Sequence, residues 1–186
     1  MFRITVLCTA NQFRSPLAAA LLRARTAELP VEVRSAAVSG REGAPALDAA
    51  LALGPGLGVD LAEHAARRLV LGELGDADLV LGFERTHVAA AVIDGGAARD
   101  RSFTMPEFAE LAEAVPTPGL DEPVARARAV VRYAADRRAL GPAHAGAPEL
   151  ADPAGGPAAA FEDAARRLSD LAERVVRALF DRVRGG

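Results

Sequence analysis

The chain has 186 residues, 51% apolar and 25% charged, enough for one globular domain that buries roughly 70% of its unfolded surface without disulfides or a structural metal. A formal net charge of −3 argues against non-specific nucleic-acid binding as its main task, and a single cysteine excludes both an internal disulfide and a four-cysteine zinc site. No apolar run reaches the roughly 18 residues of a membrane span, and the opening MFRITVLC reads as a strand rather than a secretion signal, which points to the cytoplasm and to no membrane partner.

In chain order, Phe2 to Thr9 carries the apolar alternation of a buried strand. After a polar loop, Pro16 to Leu29 reads as a helix with proline in its first turn and Leu17, Leu21 and Leu22 on one face. Val31 to Val38 is a second strand, and Leu47 to Leu53 and Leu61 to Leu71 are expected as short helices. Ala77 to Phe83 (ADLVLGF) has the continuous apolar character of a buried parallel strand. A helix is expected over Thr86 to Ile93 and a weaker strand over Asp100 to Thr104. Two proline- and glycine-rich stretches, Val115 to Pro123 and Gly141 to Pro157, bracket an arginine-studded amphipathic helix over Val124 to Leu140. Ala158 to Arg184 closes the chain as a long helix with Phe161, Leu168, Leu171, Val175 and Leu179 at helical spacing. This alternation predicts an α/β fold with a parallel sheet. All 22 basic residues are arginine, which together with the abundant alanine reads as the coding bias of a high-GC bacterium.

The informative segment is Cys8-Thr9-Ala10-Asn11-Gln12-Phe13-Arg14-Ser15-Pro16, between the first strand and the first helix. Ligands of open α/β sheets bind beyond the carboxyl ends of strands, where helix N-termini and loop N–H groups form an anion cradle. A lone cysteine at a strand end is ordinarily a small buried hydrophobe. Here it faces a positive helix end and an arginine, both of which favour the nucleophilic thiolate. Arg14 adds a planar fork that can hold two oxygens of a phosphate-like dianion. His87 and His144 are expected on the surface.

The arrangement resembles the low-molecular-weight protein tyrosine phosphatases, whose signature C-x-x-N-x-x-R-S-P is matched by Cys8, Asn11, Arg14, Ser15 and Pro16. Further matches are Ser35-Ala36 at a strand end, Gly43, Pro45 and Asp48 in a G-x-P-x-x-D pattern, and Gly58, Asp60, His64 and Arg67 in the segment that follows. Asp78 to His87 is similar to the strand ending in Met-Asp-Arg-Ser-His, and Asp152-Pro153 with Gly155-Gly156 to the family's Asp-Pro loop. The resemblance implies a three-layer α/β fold with a central, mainly parallel four-stranded sheet flanked by helices. It also implies one phosphatase domain over 1–186, carrying an insertion at about 115–146 that serves as lid, specificity segment or dimer surface. No feature of the sequence fixes an oligomeric state.

The roles implied by the resemblance go residue by residue. Cys8 attacks phosphorus and becomes a phosphocysteine. Arg14 and the loop residues Thr9, Ala10, Asn11, Gln12, Phe13 and Ser15 bind the phosphoryl group, Ser15 also donating to the sulfur. Asp152 protonates the leaving oxygen and then serves as base. Ser35 and His64 support the loop from behind, and no metal or other cofactor is required. The substrate is a phosphorylated protein or a small-molecule phosphomonoester.

Three positions depart from the family where a phosphotyrosine ring would be held: Gln12 replaces an apolar residue, Gly40 an aromatic one, and Ala154 a tyrosine after the Asp-Pro. Loss of that stacking surface leaves two substrate classes open. One is phosphotyrosine, with Tyr133 or Phe108 rebuilding the wall. The other is a non-aromatic sugar, nucleoside or metabolite phosphate, met by Arg126, Arg128 and Arg132. Arsenate reduction with an external thiol is the remaining alternative from another class, since a single cysteine cannot run an internal disulfide relay. Phe13 stands where some relatives have a second loop cysteine, which excludes a protective disulfide in the loop.

Overall fold

The computed structural model describes residues 1–114, 120–140 and 149–181. Strands β1 (Phe2–Cys8), β2 (Val31–Ala37), β3 (Leu79–Gly82) and β4 (Ser102–Thr104) form one sheet in the order β2-β1-β3-β4, with every pair parallel. Helices α1 (Arg14–Arg25), α2 (Asp48–Leu53), α3 (Arg85–Ile93), α4 (Met105–Glu113), α5 (Pro123–Leu140) and α6 (Ala158–Phe180) complete the expected α/β architecture. The chain runs from β1 to β2 on one side and then crosses to β3 on the other. A crevice therefore opens beyond Cys8, at the point where the direction of winding reverses, the general ligand position of such sheets.

The strand period of two divides the core. Ile4, Val6, Leu79 and Leu81 point into a large cluster with Leu17, Leu21, Leu168, Val175 and Leu179 from α1 and α6. Leu7, Ala36 and Val80 point the other way, into a smaller cluster with Leu74, Ala91 and Ala97. Helix α6 explains its own placement: Leu168, Leu171, Ala172, Val175 and Leu179 recur at three- and four-residue intervals and are all buried.

Three expectations need correction. Residues 61–71 form no helix, although their pattern is helix-compatible. Backbone pairing wins instead: Ala66 N–H donates to Ala44 O, Ala37 N–H to Arg67 O and Leu69 N–H to Ala37 O, so the segment runs alongside β2 and the 43–45 turn. Helix α4 was not expected, yet its start is written in the sequence: Thr104 Oγ1 accepts from Glu107 N–H and Thr104 N–H donates back to the Glu107 carboxylate, a capping box with Pro106 in the first turn. The last helix stops at Phe180 rather than running to 184, and residues 182–184 lie outside the described part.

Helix α5, expected as part of an insertion, contributes Ala127, Val130, Val131 and Ala134 to the large core cluster. Arg126 and Arg128 are taken up in structural contacts rather than in the cysteine loop. Arg126 is buried and donates to the carbonyls of Phe180, Leu120 and Asp121, closing the end of α6. Arg128 pairs with Asp78, immediately before β3 and so at the opposite end of the sheet from Cys8; Arg132 lines the same polar groove with Asp76, Asp100 and Arg101. Phe108 is wholly buried against Phe103, so it cannot form a pocket wall, and only Tyr133 keeps an exposed ring.

Candidate active site

The loop between β1 and α1 wraps around the Cys8 sulfur. Asn11 N–H donates to Sγ at 3.2 Å, and Ser15 Oγ lies 2.9 Å from it. The direction of the second contact follows from the neighbours. Arg67 N–H can only donate, so the Asn11 side-chain atom 3.0 Å from it is the carbonyl Oδ1. Asn11 Nδ2 is then the atom that donates to Ser15 Oγ at 2.8 Å, which leaves the Ser15 proton free to point at sulfur. Two donors thus converge on Sγ, one from the backbone and one from a hydroxyl.

Asn11 can act as this hub because of its backbone. It sits at φ 55°, the left-handed region that asparagine tolerates better than most residues, and it is fully buried. His64 Nε2 donates to Asn11 O at 2.7 Å and so holds the left-handed turn from outside. His64 thus contacts the loop through the backbone of Asn11. Ser35 instead pairs with Val6 in the sheet, two residues short of Cys8, and no side-chain hydrogen bond joins it to the loop among the described residues.

Cys8 O and Thr9 O accept from Val38 N–H and Ser39 N–H, bracing the other side of the loop. Gly40 packs onto it: φ is 126°, a backbone that side chains rarely adopt, and a Cβ there would lie a tight 3.2 Å from Ala10 Cα, so a larger residue would be strained here. Gln12 is tied down as well, with side-chain Nε2 donating to Pro45 O and the backbone carbonyl accepting from Leu47 N–H. Phe13 turns into the core, edge-on to Phe161 at 5.0 Å between ring centres, so only its backbone belongs to the loop. The bond from Leu17 N–H to Phe13 O closes the first turn of α1, leaving the N–H groups of Arg14 and Ser15 without an acceptor inside the helix.

Arg14 is the largest buried side chain near the loop, only 1% exposed, and lies over the Phe83 ring. Nη1 pairs with Glu84 and donates to Leu150 O; Nη2 pairs with Asp152 and reaches Thr9 Oγ1. The two carboxylates lie on adjacent edges of one guanidinium. Asp152, 38% exposed at its side chain, also accepts from Ala154 N–H through Oδ1. A residue 138 positions away in sequence is thereby brought to the mouth of the cysteine loop.

Sequence reasoning missed Leu150 and misplaced His87. Leu150 joins the loop through its backbone alone, which no residue pattern can announce: its N–H donates to Phe83 O and its carbonyl accepts from Arg14. His87, expected on the surface, is 2% exposed and lies beside the loop, while His144 falls outside the described residues. Burial and the facing Arg14 guanidinium push the His87 imidazole below its ordinary value. The available signal was its position three residues after Glu84, the spacing at which a side chain can turn back on the start of its own helix.

Cys8 thus ends a central parallel strand, Arg14 opens the helix that follows the loop, and the Arg14–Asp152 pair brings a distant carboxylate to the same loop. Comparison with known proteins places the chain in a family. The family model of low molecular weight phosphotyrosine protein phosphatases matches residues 3–137. The low molecular weight protein-tyrosine-phosphatase Etp of Escherichia coli K12 is 35% identical over 116 residues, covering 62% of this chain and 76% of its own. A protein-arginine-phosphatase of Geobacillus stearothermophilus is 36% identical over 108 residues, 58% of this chain and 71% of its own. Among solved structures, the low molecular weight protein tyrosine phosphatase of T. tengcongensis superposes with a TM-score of 0.68 at 27% identity, over 95% of this chain and 99% of that one. These relatives favour hydrolysis over arsenate reduction. On the strength of the family match and the cysteine-loop geometry, the chain belongs to the low molecular weight phosphotyrosine protein phosphatase family.

Proposed function

We infer that this phosphatase acts on phosphorylated protein through a phosphocysteine at Cys8, and that residues 1–186 form one phosphatase domain working without a metal in the cytoplasm. The observation that carries the reading is the pair of donors on Cys8 Sγ, in the loop that ends at the arginine paired with Asp152. The thiolate attacks phosphorus opposite the leaving oxygen, forming S–P as P–O breaks. Arg14 and the loop N–H groups hold the equatorial oxygens as charge builds on them. Asp152 leaves Arg14 Nη2 to give its proton to the departing oxygen, then takes one from the water that cleaves S–P and restores the thiolate. Ser15 donates to sulfur in both half-reactions. Among the described residues no helix is long and apolar enough to cross a membrane, consistent with this placement.

A second reading concerns the substrate. Gln12, Gly40 and Ala154 leave the pocket without an aromatic wall, while Glu84 and Asp152 add two carboxylates beside it. That favours a non-aromatic phosphoryl group: a metabolite phosphomonoester, or a phosphorylated arginine side chain whose guanidinium those carboxylates can face, as the name of the Geobacillus relative suggests. Measuring kcat/KM for a phosphotyrosine peptide, a phosphoarginine peptide and a panel of sugar and nucleoside monophosphates decides between them. A preference for phosphotyrosine means the loop selects that substrate without an aromatic residue at 12, 40 or 154. A preference for either other class makes the missing wall the specificity device. Chelator-sensitive turnover that survives Cys8→Ser overturns the cysteine mechanism itself.

A further inference from the structure

His87 is a buried imidazole for which the phosphatase mechanism has so far found no use, and its hydrogen bonds fix its tautomer. Nδ1 lies 3.2 Å from both Phe83 N–H and Glu84 N–H. Backbone N–H groups can only donate, so Nδ1 is an unprotonated acceptor and the ring proton sits on Nε2. Nε2 is 3.1 Å from Thr9 Oγ1 and donates to it. Gly82 makes this fit possible, because a Cβ there would stand 2.7 Å from His87 Cβ.

The consequence falls on Thr9, the residue next to Cys8 in the loop. Its Oγ1 accepts from His87 Nε2–H and from Arg14 Nη2–H at 3.3 Å. With both lone pairs taken, the hydroxyl can use its proton only as a donor. Thr9 is exposed at the mouth of the loop, and the Arg14 nitrogen it touches is the one that also holds Asp152. When Asp152 moves to the leaving group, a phosphoryl oxygen takes its place on Nη2, within reach of the Thr9 proton.

We propose that the Thr9 hydroxyl is a catalytic donor to the phosphoryl oxygen held by Arg14 Nη2, and that His87 is a positioning residue that forces this polarity on it. The inference rests on the phosphatase reading above. It adds a neutral side-chain donor to the arginine and backbone clamp, one that strengthens as charge builds on the oxygen and so acts on kcat as well as on binding. Protonating His87 would set a Nδ1 proton against the N–H groups of Phe83 and Glu84 and so disturb the ring position that aims Nε2–H at Thr9. The charged groups facing the imidazole are Arg14, which opposes its protonation, and Glu84, Asp152 and Glu149, which favour it.

The test uses the whole protein with an aryl phosphate as substrate and inorganic phosphate as competitive inhibitor. Thr9→Val keeps the shape and removes the donor; Thr9→Ser restores it. His87→Asn keeps an acceptor for the two N–H groups and loses the donor to Thr9. Thr9→Val should lower kcat/KM about 10- to 100-fold, mostly in kcat, and weaken inhibition by phosphate. Thr9→Ser should recover most of that, and His87→Asn should fall in the same direction without unfolding. Nitrogen-15 NMR of wild type should show His87 protonated at Nε2 alone at neutral pH. Thr9→Val with unchanged kcat and phosphate inhibition, or a Nδ1–H tautomer at His87, overturns the inference while leaving the phosphatase reading intact. Wild-type protein with no Cys8-dependent turnover overturns both.

Discussion

Replacing Asn11 separates the two parts of its role, because one substitution removes hydrogen bonds and strains the backbone while another only removes the bonds. In Asn11→Ala the fully buried side chain no longer donates to Ser15 Oγ or accepts from Arg67 N–H. The lost Ser15 bond costs about 1 kcal/mol, and the stranded Arg67 N–H costs about 1–2 kcal/mol at this half-buried position. Alanine at φ 55° adds about 1 kcal/mol of left-handed strain that asparagine largely escapes. The sum is about 3–4 kcal/mol, a large part of the roughly 5–15 kcal/mol of a typical domain, yet compatible with a folded protein. Asn11→Gly loses the same bonds without the strain, so it should be more stable than Asn11→Ala by about 1 kcal/mol, against glycine's usual destabilising effect. Urea unfolding of the three proteins, with unchanged dependence on denaturant, measures this directly. Both variants should also lose about tenfold in kcat/KM, since the Ser15 proton is no longer directed at sulfur. An alanine variant as stable as the glycine one, or both within about 0.5 kcal/mol of wild type, would refute the reasoning.

Other substitutions test other parts of the structure. Arg126→Ala leaves the carbonyls of Phe180 and Leu120 unpaired at the end of α6 and should cost about 2–4 kcal/mol in unfolding free energy with kcat unchanged, because the site is at the far end of the fold. Gly82→Ala drives a methyl group into His87 and should cost about 1–3 kcal/mol, together with a loss of kcat that the Arg126 variant does not show. Since the folded-state pKa of His87 lies below its unfolded value, the unfolded chain binds more protons in the window below about pH 6.5. Stability should therefore fall as pH drops from 6.5 and level off once His87 protonates in the folded state. Thermal unfolding of wild type and His87→Asn between pH 7.5 and 5 checks this, the variant lacking that part of the slope.

The strand–loop–helix unit that carries the chemistry was legible because its signals are local. A continuous apolar strand, a cysteine, a polar loop and a Ser-Pro helix opening lie within sixteen residues, and Phe2–Cys8 and Arg14–Arg25 form the expected elements, the strand start coinciding and the other ends differing by one to four residues. What escaped was set by tertiary pairing. The 61–71 segment has a helix-compatible pattern, but its N–H and carbonyl groups find partners on Ala37 and Ala44, a choice no local propensity reveals. His87 looked like one more polar residue on a helix; only the approach of Gly82 and the loop around Thr9 buries it. The arginines of α5 are uninterpretable by charge alone, since Arg126 is consumed by carbonyls and Arg128 by Asp78. Within the site, Asp152 was readable as an Asp-Pro signature, whereas the support from Leu150 is pure backbone.

The account turns on sulfur. Mixing the protein with excess aryl phosphate, quenching in acid within milliseconds and mapping the phosphoryl group by mass spectrometry tests it most directly. The mechanism predicts one phosphoryl group on the peptide containing Cys8, accumulating further in Asp152→Asn, which lacks the base for the second step, and absent in Cys8→Ala. Phosphate on any other residue, or undiminished turnover by Cys8→Ala with no phosphoenzyme, would contradict it.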